Sequence, residues 1–99
     1  MSVRIIAIKR LKEFWEKHPD SEQPLRAWYS EAVNADWKKP NDITKYYRTA
    51  SILLSYRVVF KIKGNDYRLI TTINYDYKVV YIRFIRTHKE YDRINAEDI

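Results

Sequence analysis

The sequence predicts an α+β domain in the order β-α-α-β-β-β, followed by a short C-terminal helix. Three observations predict this order. Apolar residues recur at helical spacing through the first third of the chain, Pro19 interrupts that spacing, and from Tyr56 onward the apolar period changes to two. A helical pair followed by successive strands favours a twisted, mainly antiparallel sheet with the helical hairpin packed on one face.

The N-terminal part predicts a buried strand and a first helix. Val3 to Ile8 is a short, mostly apolar run without a turn residue, as in a buried strand. The next apolar side chains are spaced at i, i+3, i+4 and i+7, which is one face of a helix: Leu11, Phe14, Trp15 and His18. Pro19 ends this helix because proline has no backbone N–H and clashes with the preceding turn.

A second amphipathic helix is predicted to follow almost directly. Asp20 or Ser21 offers an N-cap for it, since short polar side chains accept hydrogen bonds from the first free amides of a helix. Helical spacing then repeats at Leu25, Trp28, Tyr29, Ala32 and Val33. Residues 38–41 break the helical pattern, and residues 42–47 are compatible with one helical turn. The sequence does not assign a secondary structure to the residues between there and Ser55.

The second half predicts three strands. In the first, Val58, Phe60 and Ile62 alternate with Arg57, Val59, Lys61 and Lys63. Turn residues at 64–66 lead into a strand from Tyr67 to Asn74, and a turn at 75–78 leads into a strand from Val79 to Arg86. In the last strand, Val80, Ile82 and Phe84 alternate with Tyr81 and Arg83. Thr-His-Lys-Glu at 87–90 matches a capping box, which predicts that a short helix starts there.

Composition narrows the possible functions. A chain of 99 residues, 19 of them Lys or Arg and 13 Asp or Glu, is expected to form one domain (1–99) with a net charge of +6, as in many nucleic-acid-binding domains. The absence of cysteine excludes disulfides, thiol catalysis and thiolate metal sites. Two histidines without metal-ligand spacing lead us to expect no metal or other cofactor. With no apolar leader and no long apolar span, we expect a cytoplasmic protein without membrane contact.

If the apolar alternates of the three strands face the helices, the other alternates share the opposite face. The cations expected there are Arg57, Lys61, Lys63 and Arg83, joined by Arg68 in one of two possible registers. His88 and Tyr91 follow the last strand and are expected at the rim of this face. Cations beside aromatic rings suit RNA, since phosphates attract positive charge and unpaired bases stack on rings. The alternative is a solvated face, because edge strands often carry lysine against aggregation.

The two histidines are interpreted differently. His88 is a candidate for proton transfer, because histidine side chains titrate close to neutral pH; the alternative is a histidine that only satisfies local hydrogen bonds. His18 lies on the apolar stripe of the first helix and is interpreted as structural. Thr87 and Glu90 are interpreted as helix caps.

Two runs of sequence carry a family resemblance. Gly-Asn-Asp-Tyr-Arg-Leu-Ile at 64–70 is followed by Phe-Ile-Arg-Thr-His-Lys-Glu-Tyr-Asp at 84–92. Phe-Trp-Glu-Lys-His-Pro at 14–19 and Tyr-Arg-Thr-Ala-Ser at 47–51 add to them. Together these runs resemble the HigB toxin family within the RelE/ParE superfamily, and the resemblance covers nearly the whole chain in order. Thr-His-x-Glu-Tyr-Asp is its most specific element.

The resemblance implies a RelE-like fold and a function. Members of the family are ribosome-dependent endoribonucleases that cut messenger RNA through its 2′-hydroxyl without a metal and so stop translation. A helix-turn-helix antitoxin similar to HigA neutralises them, and operator DNA is expected to be bound only through the toxin–antitoxin complex.

The resemblance also implies residue roles. Lys61 is similar to the lysine on the second strand of RelE-type toxins, and Arg68 to the arginine that contacts the scissile phosphate. His88 stands near a position where RelE carries an arginine, and Tyr91 differs in its spacing from the family's C-terminal tyrosine. These four are the expected catalytic residues, with the identity of base and acid open. The expected RNA-binding residues are Arg57, Lys63, Arg83 and Arg86.

Two other functions fit the same fold class. A ParE-like toxin poisons DNA gyrase by binding it and cleaves no RNA, and a non-catalytic module would only bind RNA. The basic face with His88 and Tyr91 favours the ribonuclease over the gyrase poison, which has no need of such a cluster.

Overall fold

Five strands and four helices make up the computed structural model, which describes residues 3–93. The strands are β1 (Arg4–Ile6), β2 (Ser51–Ile52), β3 (Arg57–Ile62), β4 (Tyr67–Asn74) and β5 (Val79–Thr87). The helices are α1 (Lys9–Lys17), α2 (Glu22–Val33), α3 (Pro40–Tyr46) and α4 (His88–Tyr91). The predicted α+β class is confirmed.

The strands form one mixed sheet in the order β1-β5-β4-β3-β2. Short turns join β3 to β4 and β4 to β5, so these pairs are antiparallel, as β2 and β3 are. Only β1, among the described strands, runs parallel to its neighbour, β5. The chain crosses from β1 at one edge of the sheet to β2 at the other through α1, α2 and α3, which places these helices over one face.

The helical hairpin is as predicted, but its junction is not. Helix α1 ends at Lys17, and a 3₁₀ turn spans Pro19–Ser21 before α2 begins. Ser21 is not a side-chain cap: it is buried, and its hydroxyl donates to the carbonyl of His18 at 2.7 Å. Asp20 does not cap α2 either, because its carboxylate binds Lys63 and Tyr67 of the sheet instead. The hairpin is therefore connected to the sheet at its tip.

Helix α3 is longer than the single turn considered from the sequence, and β2 is a strand that the sequence left open. Pro40 stands in the first turn of α3, where its missing N–H costs nothing. Ile43 is fully buried, and the ring of Tyr47 lies 5.1 Å from that of Phe60. Burial against the sheet thus stabilises a helix too short to be stable alone.

A β-bulge in β5 corrects the predicted alternation. Ile70 pairs with Phe84, whereas the next residue of β4, Thr71, pairs with Ile82, so Arg83 has no partner across the sheet. The extra residue shifts the alternation, so the side chains that follow it in β5 point to the opposite face of the sheet from the one predicted. Phe84 therefore leaves the helix-bearing face, on which it was predicted, and Ile85 is buried in the core there.

Helix α4 begins at the predicted capping box. The hydroxyl of Thr87 accepts from the amide of Glu90 at 3.2 Å, and the Glu90 carboxylate accepts from the amide of Thr87 at 3.1 Å. Strand β5 extends one residue beyond the prediction, to Thr87, and β1 is shorter than the predicted Val3 to Ile8. Among the described residues, no helix is long and apolar enough to cross a membrane.

Candidate nucleic-acid interface and active site

Three cations stand side by side on the face of the sheet opposite the helical hairpin. Lys61 pairs with Arg68 across β3 and β4, and Arg68 pairs with Arg86 across β4 and β5. We call these three residues the cation row and the sheet surface that carries them the cationic face. The structure thus selects the register in which Arg68 joins this face.

The cation row is electrostatically unfavourable on its own. Like charges directly opposite each other on neighbouring strands are destabilising. Within residues 3–93, none of the three forms an ion pair with a carboxylate. Such a row is suited to an anion that supplies the missing negative charge, and a nucleic-acid phosphate is one.

Arg68 is the most constrained member of the row. Its side chain is largely buried, with a 6% exposed fraction for the residue. Its guanidinium donates to the backbone carbonyl of Asn65 at 2.8 Å and to the Asn65 side-chain oxygen at 2.7 Å. The same guanidinium lies 5.7 Å from the centre of the Tyr91 ring, within range of a cation–π contact. Two hydrogen bonds and one ring therefore hold Arg68 in a single orientation.

Helix α4 brings the ring of Tyr91 to Arg68, the middle member of the cation row, and begins with His88. The amide of His88 donates to the carbonyl of Asp66 at 2.8 Å, which ties the start of α4 to the β3–β4 turn. The Nδ1 atom of His88 lies 3.2 Å from an Asp92 carboxylate oxygen, and its side chain is 44% exposed. His88 and Tyr91 are one helical turn apart and so are neighbours on the surface of α4.

The pKa of Glu90, whose carboxylate caps α4, is lowered. Hydrogen bonds from the backbone amide and then the hydroxyl of Thr87 lower the pKa of Glu90, and the positive charge of Arg86 adds to this effect. Glu90 is therefore ionised while it caps the helix that carries His88.

An apolar row follows the cation row along the strands. Val59, Ile70 and Phe84 lie next to one another, and Val59 and Ile70 are buried. Leu53 and Tyr91 pack against them. The face that the sequence predicts as an open basic surface is thus partly covered at its middle.

The remaining expected RNA-binding residues are dispersed. Arg57 lies on the cationic face, opposite Thr72 and beyond the apolar row. Arg83 is exposed at the bulge, outside the cation row. Lys63 is not on this face, since its ammonium lies 2.8 Å from Asp20, in the helical hairpin. The expectation that Lys63 shares the face with Lys61 is therefore wrong, because the chain turns at Lys63, where φ is 52°.

Lys63 instead connects the β3–β4 turn to the helical hairpin. Its ammonium also lies 3.3 Å from Asp66, and the Tyr67 hydroxyl donates to the other Asp20 oxygen. The hydrogen bond from Lys63, followed by that from Tyr67, lowers the pKa of Asp20, while the same carboxylate raises the pKa of Lys63. This turn also holds Arg68 through Asn65, so the helices and the cation row share one support.

Sequence reasoning missed three residues of the site. The sequence identifies Asn65 only as a turn residue, and Asp92 only as part of the family motif. Arg10 of α1 lies 5.9 Å from the Phe84 ring, and Arg86 lies 4.8 Å from the same ring, so α1 adds a cation beside the row. Helical spacing determines which face of α1 carries Arg10, but no local signal in the sequence indicates that this face packs near β5.

His18 has the structural role expected of it. Its ring stacks on Phe14 at 4.4 Å and meets the edge of Tyr67 at 5.6 Å. Within residues 3–93, no group of three His, Asp or Glu side chains is arranged to hold a metal ion.

Comparison with known proteins gives consistent matches. The sequence model of the HigB toxin family, described as the RelE-like toxic component of a toxin–antitoxin system, matches residues 21–94. The chain is 29% identical over 96 residues to the mRNA interferase toxin HigB of Escherichia coli (strain K12). It is equally similar to the mRNA interferases HigB of Escherichia coli O157:H7 and Shigella flexneri. Each alignment covers 95% of this chain and 92% of the relative.

Proposed function

Because this chain belongs to the HigB family of RelE-like toxins, the toxic components of toxin–antitoxin systems, we propose that it is an mRNA interferase that cuts messages on the ribosome. The curated relatives are named mRNA interferases, and they align over nearly the whole chain. The observation that carries the proposal is the cation row, three positive side chains on adjacent strands with the Tyr91 ring beside Arg68.

The cation row supports binding of the scissile phosphate. In the proposed reaction the 2′-oxygen attacks phosphorus, the bond from phosphorus to the 5′-oxygen breaks, and a 2′,3′-cyclic phosphate and a 5′-hydroxyl form. Negative charge grows on the phosphoryl oxygens during this step. Arg68 is already oriented by Asn65 and Tyr91, so it stabilises that charge without having to reorganise. Lys61 and Arg86 flank it on both sides.

His88 is proposed to transfer a proton in this reaction. One proton must leave the 2′-hydroxyl and one must reach the 5′-oxygen, and histidine does either near neutral pH. Asp92 contacts Nδ1, which leaves Nε2 as the nitrogen for substrate. Tyr91 is proposed to orient the 2′-hydroxyl or to stack on a base, and the structure supports either role equally.

The proposal that cleavage depends on the ribosome is based on the solvent exposure of the site. The side chains of His88 and Asp92 are 44% and 59% exposed, so solvent reaches the histidine proposed to transfer a proton. A message held in the decoding site of the ribosome arrives in a fixed geometry, which supplies the orientation that the toxin alone does not impose. This proposal places the protein in the cytoplasm, where translation occurs.

The toxin–antitoxin family implies an antitoxin partner. We propose that this partner is a HigA-like helix-turn-helix protein, and that operator DNA is bound only through the complex of the two. The +6 charge of the toxin suits an antitoxin surface of opposite charge as well as RNA.

Mapping of transcript ends after induction in a bacterium tests the proposal. We expect growth arrest, cuts within translated frames, and fewer cuts on the same transcript when its initiation codon is removed. Purified ribosomes carrying a defined message should reproduce the cuts. Equal cutting of naked RNA would contradict ribosome dependence, and growth arrest with intact messages and inhibited gyrase would favour the ParE-like alternative.

A further inference from the structure

A cleft of about 490 Å³ lies at the far end of the sheet from α4. Tyr56 and Tyr81 form part of its wall, together with Thr72 and Asn74 of β4. Both tyrosines are exposed, at 72% and 44%. Neither belongs to the residues implicated so far in catalysis or in phosphate binding.

This cleft continues the cationic face. Arg57, Thr72 and Tyr81 form a cross-strand row parallel to the cation row, with the apolar row between them. Arg57 and Lys61 are four residues apart on β3, so the two polar rows are separated by about 13 Å at roughly 3.3 Å per residue. That distance corresponds to a few nucleotides, since stacked nucleotides rise about 3.4 Å each along a strand.

The chemistry of the cleft suits a base and not a phosphate. Its lining includes aromatic rings, a hydroxyl, an amide and the carboxylate of Asp76, and no Lys or Arg among the described residues belongs to it. Rings in such a position stack on unpaired bases, whereas phosphates need cations. The cations that attract the backbone stand on the same face, in the cation row.

The turn that carries Tyr56 is strained. Ser55 and Tyr56 have φ values of 60° and 63° at the two central positions of a β2–β3 hairpin, where asparagine and glycine are preferred. A hydrogen bond of 2.9 Å from the amide of Ile73 to the carbonyl of Tyr56 fixes the turn against β4. Burial does not compensate for this strain, because the ring is exposed. Strained positions of this kind concentrate at binding and active sites.

We propose that this cleft holds an unpaired base of the message, a few nucleotides from the scissile phosphate, with Tyr56 and Tyr81 as its stacking surfaces. The inference rests on the proposed function, since it takes the cation row as the place where the message is cut. It makes Tyr56 and Tyr81 determinants of message binding and not of the chemical step.

Tyr56→Gly separates this role from folding. Glycine relieves the positive φ, so the variant should be at least as stable as the parent protein while it lacks the ring. We expect the KM for cleavage of ribosome-bound message to rise roughly five- to 150-fold, the effect of losing one stacked base, with kcat unchanged. Tyr56→Trp should retain the parent KM. Ser55→Gly, which relieves strain without removing a ring, and Tyr77→Gly, which removes an exposed tyrosine outside the cleft, are the matched controls.

Photocrosslinking identifies the occupant. A message with 5-iodouridine at one position at a time, and a 2′-deoxy sugar at the cut site, is bound to ribosomes and toxin. Crosslinks to Tyr56 or Tyr81 from a base a few nucleotides from the cut site are expected. A normal KM for Tyr56→Gly, or crosslinks confined to residues near the cation row, would overturn the proposal while leaving the proposed function intact. Loss of antitoxin binding by Tyr56→Gly with a normal KM would also overturn it, and would assign the cleft to the antitoxin. If the parent protein leaves the message uncut, the proposed function itself fails.

Discussion

The two faces of strands β3, β4 and β5 share one backbone but carry different side chains, aromatic and buried on one face and cationic on the other. On the helix-bearing face, the Phe60 ring is surrounded by those of Trp28, Trp37 and Tyr47 at 5.4, 5.9 and 5.1 Å. On the cationic face, Lys61, the next residue of β3, is exposed and stands opposite another cation. Packing holds the side chains of the first face, whereas on the second face Arg68 is held by the hydrogen bonds that it donates to Asn65 in the β3–β4 turn.

This difference separates stability from chemistry. A residue in the aromatic cluster contributes by removing apolar surface from water, and its loss leaves a cavity. An exposed cation of the row such as Lys61 contributes little to folding, because its charge is opposed by that of its neighbours, and is available to an anionic substrate. Substitutions on the two faces should therefore change different measurements.

The largest effect is expected for Phe60→Ala on the helix-bearing face. Deleting a fully buried ring should lower the free energy of unfolding by about 3–5 kcal/mol. Urea denaturation measures this loss, and cleavage divided by the folded fraction should stay near the parent value. Leu54→Ala, an apolar residue that is 72% exposed, is the control and should change stability by less than about 0.5 kcal/mol. Equal losses for both variants would contradict a core centred on Phe60.

Arg68→Ala should have the opposite effect, with a slower cleavage step in a protein that still folds. The loss of one preorganised donor typically costs about a hundred- to a thousandfold in rate, so we expect that decrease in kcat with the protein still folded. Arg68→Lys keeps the charge but not the two-point contact with Asn65, and should give an intermediate rate. Lys45→Ala, an exposed lysine of α3, serves as the control in the same single-turnover assay. A fully active Arg68→Ala protein would place the site elsewhere.

His88→Gln tests the assignment of proton transfer to the first residue of α4. Glutamine retains some hydrogen bonding but does not titrate near neutral pH, so cleavage should fall roughly a hundredfold with ribosome binding preserved. Lys89→Ala, an exposed neighbour on α4, should be close to the parent protein in both measurements. If His88→Gln cuts messages at the normal rate, the proton-transfer role is removed, and Lys61, Arg68 and Tyr91 remain.

The smallest expected effect is the pH dependence of the stability that Glu90 contributes by capping α4. The pKa of Glu90 is lower in the folded protein than its ordinary value, so its stabilising contribution is present above that ordinary value and is lost as pH falls through the folded-state value. Glu90→Gln keeps a capping partner that does not titrate. The difference in unfolding free energy between parent and variant should therefore shrink on acidification. Other carboxylates, Asp20 included, titrate in both proteins and cancel. A difference independent of pH would contradict this role of Glu90.

The elements themselves could be predicted from sequence because their signals are local. Period changes at Tyr56, turn residues at 64–66 and the capping box at 87–90 each act within a few residues. The same local signals predict a cationic face, on which the structure places Lys61, Arg68 and Arg86. The structure places His88 at the start of α4, directly after β5. The roles of these residues in cleavage remain predictions.

Contacts between distant residues required the tertiary structure. Asp20 and Lys63 meet although 43 residues separate them in sequence, and Arg10 reaches β5 only because α1 packs there. The bulge at Arg83 depends on how β5 fits β4, and it reversed the predicted side of Phe84. Spacing along one strand determines which side chains alternate, but only pairing with the neighbouring strands determines where that alternation shifts, and so which cations stand in one row.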